Sequence, residues 1–276
     1  MSDGATGAPL PTGAVVDADI PRTHVDSIEY HITKGKSTMR ITFIGTSHGV
    51  PEPERRCSCT MIEVEGRYYF IDMGTQAIED LIHRGISIDA VKGIFITHPH
   101  GDHTNGLISF VDLAGWYFKT AEPQVYLPEE SLVTGMKAWL TGGKDLREGI
   151  GLHVYEAGVI YDDGFAKVTA IATQHCHHSH AFLFEAEGKK ILFTGDLAHP
   201  TKDFPQVAFE EELDLIVVES AHFSSDATET VLANAKVKRV LHNHISPRWA
   251  EDLARMAKNE HHYQYGKAFD GMEVIL

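Results

Sequence analysis

Between Thr97 and His103 the chain reads Thr-His-Pro-His-Gly-Asp-His. The run follows an apolar segment, KGIFIT at 92–97, and precedes a helical pattern that begins at Thr104. Three imidazoles and one carboxylate therefore crowd a single strand-to-helix turn. The surrounding fold must leave that turn facing a common point. Imidazole and carboxylate suit zinc, and equally iron or manganese. A polar loop that collects histidines by chance accounts for about a few per cent of such runs at background frequencies. The whole chain points the same way, with 18 histidines in 276 residues. Histidine is the commonest transition-metal ligand.

Other properties narrow the class. Lys and Arg number 24 against 39 Asp and Glu, a net charge of −15. That opposes a general nucleic-acid binder, which needs a basic surface to neutralise phosphates. Hydrophobic residues make up 43% and charged residues 23%, the balance of an ordinary globule. No uninterrupted apolar run is long enough for a membrane span. The N-terminus lacks a basic stretch followed by an apolar one, so no signal peptide is expected and a reducing cytoplasm is the default. Three cysteines make no disulfide framework. Cys57 and Cys59 lack the second pair of a zinc knuckle, and Cys176 reads as a packed thiol or a redox-sensitive one.

Residues 1–38 read as a tail, with an edge strand at 28–32, and residues 39–276 as one domain. Strands are expected at 39–45, 59–65, 67–72, 92–97, 123–127, 152–156, 166–173, 181–187, 190–194, 214–219, 237–241 and 271–276. Helices are expected at 75–84, 104–118, 129–140, 226–235 and 247–258. Gly188-Lys189 signals a hairpin between 181–187 and 190–194. Hairpins mixed with intervening helices suggest two sheets flanked by helices.

His98-x-His100-x-Asp102-His103 resembles the signature of metallo-β-lactamase-fold hydrolases, and further elements follow in order over residues 39–276. Asp72 ends the strand YYFID before Met73-Gly74. His175 ends VTAIATQ, six residues before Ala181-Phe182. Asp196 ends FTGD, and His244 lies in LHNHISPR. The resemblance implies an α/β, four-layer αββα sandwich of two mixed β-sheets flanked by helices. It also implies two divalent ions, zinc first and manganese or iron as alternatives. His98, His100 and His175 would hold one, Asp102, His103 and His244 the other, and Asp196 would bridge them. Asp72 would orient the ligands through hydrogen bonds. A bridging hydroxide would then be the nucleophile. In the run 174–180, His177 is the alternative to His175, while His178 and His180 read either as substrate contacts or as plain loop residues.

The opening Gly45-Thr46-Ser47-His48-Gly49-Val50-Pro51, then Arg55, Arg56 and Ser58, resembles ribonuclease Z-like and phosphodiesterase-like members, as does the ending His244-Ile245-Ser246-Pro247-Arg248. That branch implies phosphodiester hydrolysis. The chain departs from ribonuclease Z where a His-Glu pair is usual. Here Val218 precedes Glu219, and His222 is read either as a replacement proton donor or as a loop histidine. The long basic arm that grips tRNA has only the short segment 141–151 in its place. The expected substrate is a small phosphodiester, with a nucleotide or cyclic nucleotide as examples, and nucleic acid is disfavoured. Asp102, Asp196 and His222 are the expected catalytic residues, with His48, His178 and Arg248 as substrate contacts. Trp116, Tyr117, Phe118 and Trp139 read as core packing or a dimer face, and relatives suggest a homodimer. Rival readings are hydrolysis of a carboxylester, lactone, sulfate ester or thioester, an RNA-processing nuclease, and an iron-dependent redox protein.

Overall fold

Apolar runs such as RITFIG and KKILF bury both faces of a strand, and strands of that kind need cover on each side. The structure, a computed structural model, describes residues 39–276. The tail at 1–38 and the edge strand read at 28–32 lie outside the described residues. The elements run β1 (Arg40–Gly45), β2 (Cys59–Val64), β3 (Arg67–Met73), α1 (Ala77–His83), β4 (Val91–Phe95), α2 (Gly101–Thr104), α3 (Leu107–Trp116), β5 (Gln124–Leu127), α4 (Glu130–Thr141) and β6 (Gly151–Val154). There follow β7 (Gly158–Asp162), β8 (Ala166–Thr173), β9 (Ser179–Ala186), β10 (Lys189–Phe193), α5 (Val207–Glu210), β11 (Leu215–Ser220), α6 (Asp226–Leu232), β12 (Arg239–Ile245), α7 (Ala250–Met256), β13 (Gln264–Lys267) and β14 (Glu273–Ile275).

One sheet has the order β14-β1-β2-β3-β4-β5-β6 and the other β13-β12-β11-β10-β9-β8-β7. Each is antiparallel on one side and parallel on the other: pairing turns parallel from β3 to β6 in the first and from β10 to β13 in the second. Phe43, Ile62 and Tyr69 of the first sheet meet Phe182, Phe184 and Ile191 of the second in a shared core. Helices α1, α3 and α4 cover the outer face of the first sheet, where Leu81, Phe110 and Val133 pack with Phe70 and Ile94. Ala208 and Leu232, from α5 and α6, cover Val218 and Val240 on the second. Full burial of such side chains contributes about 1.5–3 kcal/mol each. The architecture is two mixed sheets flanked by helices, as the resemblance implied.

Several local expectations shift. The β9–β10 turn is Glu187-Gly188, not Gly188-Lys189. Both turn residues have positive φ, 51° and 73°, the geometry of the two-residue turn that matches strand twist. Asp102 and His103 sit on the one-turn helix α2, ahead of the helix expected from Thr104. Strands β7 and β13 escaped the pattern because both are largely exposed edge strands, without a buried face to impose alternation. Core packing does not hold for Trp116, Tyr117 and Trp139, which are 57%, 64% and 78% exposed. Among the described residues no helix is long and apolar enough to cross a membrane.

Asp163, in the β7–β8 turn, ties the two sheets. Its carboxylate accepts from the hydroxyls of Tyr69 on β3 and Tyr161 on β7, and from the amides of Phe165 and Ala166. Burial raises its pKa, but these bonds outweigh burial and hold the carboxyl below its usual range. Its contribution is therefore present above the unfolded value near 3.9 and is lost as pH falls through the folded value. Asp163→Ala is expected to lower stability at neutral pH by about 2 kcal/mol, since the buried Tyr69 hydroxyl loses its acceptor. The difference from wild type should shrink toward pH 3. Urea titrations at the two pH values measure both, and a deficit that stays constant with pH would contradict the account.

Candidate metal centre

The carboxyl ends of β3, β4, β10, β11 and β12, with the β8–β9 loop, converge at one end of the two sheets. Ligand-bearing residues of open α/β sheets gather at such ends. Two residues there have strained backbones: Asp72, near the end of β3, at φ 58° and His244, near the end of β12, at φ 50°. Left-handed conformations cost a non-glycine residue on the order of 1–2 kcal/mol, a cost typical of functional positions. Gly74 lets the segment after Asp72 pass against α2, for a Cβ there would lie 1.7 Å from the carbonyl oxygen of Asp102. Gly195, at φ 57°, turns the chain into Asp196.

Asp196 is the centre of the convergence. Its Oδ2 lies 3.6 Å from Nε2 of His98, 3.6 Å from that of His175, 3.5 Å from that of His244 and 3.7 Å from that of His222. Its Oδ1 lies 3.5 Å from His103 Nε2. His100 presents Nδ1 at 3.0 Å from His98 Nε2 and 3.2 Å from His175 Nε2. Asp102 Oδ2 is 3.3 Å from His103 Nε2 and 3.6 Å from His244 Nε2. His98, His100, His175 and Asp196 thus form one group able to hold a metal ion, and Asp102, His103 and His244 a second. A third grouping, Asp196, His222 and His244, reuses two of these residues. All seven residues expected as ligands come together. His175 is the member taken from the 174–180 run, while His177 packs its ring on His178.

Two observations test whether cations fit. His103 Nε2 and Asp196 Oδ1 are both buried without a hydrogen-bond partner, although they face each other. Buried polar atoms are seldom left so unless something else satisfies them. The donor set, imidazole and carboxylate only, suits borderline divalent ions. The electrostatics of His98, Asp196 and Asp102 agree. Burial, then the neighbouring His103, pushes His98 down to about 2, so its imidazole is neutral, as a ligand must be. Burial raises Asp196, but the imidazoles of His244 and His103 outweigh it and hold the carboxyl well below its usual range. Asp102 likewise stays ionised, because the adjacent imidazoles of His103 and His244 outweigh burial.

The supporting residues are as ordered as the donors. Asp72 lies 2.7 Å from His103 Nδ1 and accepts from the amide and hydroxyl of Thr97. It touches both His103 and Thr97, the contacts an orienting residue would need. Ser58 lies 2.8 Å from His244 Nδ1. Glu219 accepts from the amides of Leu197, Ala221 and His222 and lies 2.8 Å from His222 Nδ1. Asp203, 7% exposed, accepts from Gln174 N, beside His175, and from Ala198 N, beyond Asp196. It clamps the two loops that carry those donors.

Sequence reasoning gave Ser58, Glu219 and Asp203 no role in the centre. Ser58 and Glu219 at least lie in quoted segments, whereas nothing around Asp203 marks it. The three expected substrate contacts fare differently. His48 stands in the opening loop, 3.4 Å from Glu52, and feels the charges of His244 and Asp102. His178 faces Glu129 at 4.0 Å. Arg248 lies over the Trp249 ring, 5.8 Å from its centroid.

Comparison with known proteins adds to this. The family described as anti-Pycsar protein Apyc1 matches residues 39–245. A ribonuclease Z of Shouchella clausii is 32% identical over 154 residues, covering 55% of this chain and 49% of the relative. The match therefore spans about half the length of that relative. The metallo-β-lactamase-fold protein YhfI of Bacillus subtilis superposes with a TM-score of 0.69 at 17% identity, covering 87% of this chain and 100% of that one. A diphosphatase of the PhnP family gives 0.65 at 17% identity, with 87% and 97% covered. The chain has the metallo-β-lactamase fold, resembles ribonuclease Z in sequence, and carries a candidate metal site.

Proposed function

The chain belongs to the family of the anti-Pycsar protein Apyc1, and on that footing we propose that it is a binuclear metal-dependent phosphodiesterase acting on a small phosphodiester, with nucleotides and cyclic nucleotides in range. The convergence on Asp196 carries this reading. Two donor groups meet at one buried carboxylate, and a histidine oriented by Glu219 stands beside them. His98, His100 and His175 would hold one ion, Asp102, His103 and His244 the other, and Asp196 both. When bound, such a pair lowers the pKa of water to supply a nucleophile near neutral pH and neutralises charge growing on the phosphoryl oxygens.

The chain's own residues do the rest. Among the donors His98, His103, Asp196 and His244 are buried, whereas His100 is exposed and the nearby His222 side chain is 39% exposed. Substrate therefore approaches on the side of His100 and His222. The bond to Glu219 raises the pKa of His222 against burial, so its imidazolium persists closer to neutral pH. It holds a proton at Nε2, the atom facing Asp196, for the leaving oxygen. His48, which feels the charges of His244 and Asp102, is the substrate contact this reading favours. His178 and Arg248 serve only if substrate extends beyond the donors.

Two features speak against a large RNA substrate. Residues 142–150 join α4 to β6 directly, with no extended basic arm. The chain carries a net charge of −15, which opposes the neutralisation of many phosphates.

Elemental analysis of the purified protein, paired with hydrolysis of bis(p-nitrophenyl) phosphate and of p-nitrophenyl carboxylesters, tests the proposal. About two zinc or manganese ions per chain, with turnover of the phosphate ester alone, is the expected result. Turnover confined to the carboxylesters would replace the substrate class. Iron with no turnover would move the reading to redox chemistry.

A further inference from the structure

Three imidazoles of the centre are held from behind through Nδ1, and by two kinds of group. Asp72 holds His103. Hydroxyls hold the other two: Thr97 Oγ1 lies 3.0 Å from His98 Nδ1, and Ser58 Oγ lies 2.8 Å from His244 Nδ1. Both hydroxyl residues are buried, at 1% and 5% exposure. Neither was read from the sequence as part of the centre.

The Thr97 hydroxyl has one proton, and it is committed. Oγ1 lies 3.0 Å from each oxygen of the Asp72 carboxylate and donates to them. Toward His98 the hydroxyl must therefore act as acceptor. That places a proton on His98 Nδ1 and leaves the Nε2 lone pair facing His100 and Asp196. Ser58 meets His244 the same way once an ion engages Nε2, because an imidazole ligated at Nε2 carries its proton on Nδ1. The two hydroxyls come from different segments. Thr97 follows β4 and is pinned by its amide to Asp72. Ser58 precedes β2 and is pinned by its carbonyl to the amide of Gly74.

We infer that Thr97 and Ser58 are positioning residues, one for each ion. Thr97 sets His98 for the ion held with His100 and His175, and Ser58 sets His244 for the ion held with Asp102 and His103. This rests on the two-ion reading of the centre, not on the reaction. Asp72 reaches both positions, directly through His103 and through Thr97 to His98. Its loss would weaken both ions, whereas the hydroxyls separate them. Removing either hydroxyl leaves a buried N–H without an acceptor and frees the ring to turn. Loss of such a supporting partner weakens ion binding by about 10–100-fold.

Cadmium NMR on the full chain tests the assignment, because it reads each ion separately and without substrate. His175→Ala and Asp102→Ala identify the two signals. Thr97→Val, which keeps the shape, is expected to weaken the ion tied to His175 by about 10–100-fold and leave the other as in wild type. Ser58→Ala should do the reverse. Thr97→Ser and Ser58→Thr, which keep the hydroxyls, should restore wild-type affinity. If Thr97→Val does not fold, Thr97→Ala against Thr97→Ser makes the same comparison. Equal weakening of both ions by either variant, no weakening by either, or fewer than two cadmium ions on the wild-type protein would overturn the inference. An intact selective pattern with no phosphodiester turnover would instead remove the proposed function and leave this assignment standing.

Discussion

Asp196→Ala is expected to lower phosphodiester hydrolysis by about 10³-fold or more, and to lower bound metal in the same preparation. The reason is geometric. Five histidine Nε2 atoms lie between 3.5 and 3.7 Å from its two oxygens, and the carboxylate is 3% exposed. No other acidic residue of the cluster reaches both donor groups, since Asp102 neighbours His103 and His244 only. Losing a partner that merely orients a ligand costs about 10–100-fold. Losing a donor shared by two ions acts at both positions together and exceeds that. Asp196→Asn keeps the shape but not the charge that balances the ions, and should fall between alanine and wild type. Specific activity and metal content, measured on each variant, decide the matter. An alanine variant that kept both would mean the ions, if bound, sit elsewhere.

His222→Ala is expected to slow substrates with a poor leaving group by about 10²–10⁴-fold, the usual contribution of a general acid. A p-nitrophenolate leaving group needs little protonation, so bis(p-nitrophenyl) phosphate should be far less affected. This contrast separates a proton donor from a metal ligand, whose loss would slow both substrates. The distinction matters because His222 also falls within a possible donor group with Asp196 and His244. The pH profile gives a second check. The bond to Glu219 raises the pKa of His222, so the donor stays protonated below that value and is lost as pH rises through it. Wild-type kcat/KM on a poor leaving group should show an alkaline fall that His222→Ala lacks. A variant that retained the fall would assign the proton to another residue.

The part of the centre legible in the sequence is the part built from neighbours. His98, His100, Asp102 and His103 occupy one strand-to-helix turn, so their spacing alone points to a metal centre. His175, Asp196 and His244 could be picked out only through the resemblance, as elements that follow in order at or near the ends of predicted strands. The supporting shell is illegible for the opposite reason. Ser58 and His244 stand 186 positions apart, and Asp203 reaches the loops of His175 and Asp196 through backbone amides that carry no side-chain signature. Strands β7 and β13 stayed hidden because an exposed edge needs no hydrophobic alternation. Trp116, Tyr117 and Trp139 misled in the other direction, since large aromatics are most often buried and here they are not.

The two sheets share the centre unevenly, and that has a thermodynamic consequence. The segment after β4, in the first sheet, supplies His98, His100, Asp102 and His103, while the second sheet supplies His175, Asp196 and His244. Neither sheet holds a full donor set for either ion. Each ion of the proposed pair would therefore be a cross-tie between the layers, and its binding energy would add to the energy that keeps them docked. Free ion at a hundred times its dissociation constant would contribute about 2.7 kcal/mol per site to native stability, a sizeable share of the 5–15 kcal/mol typical of a domain. Starved of metal, the molecule would part more readily along its central core than at its helical flanks. Its lifetime in a cell would then follow metal supply as closely as its turnover does.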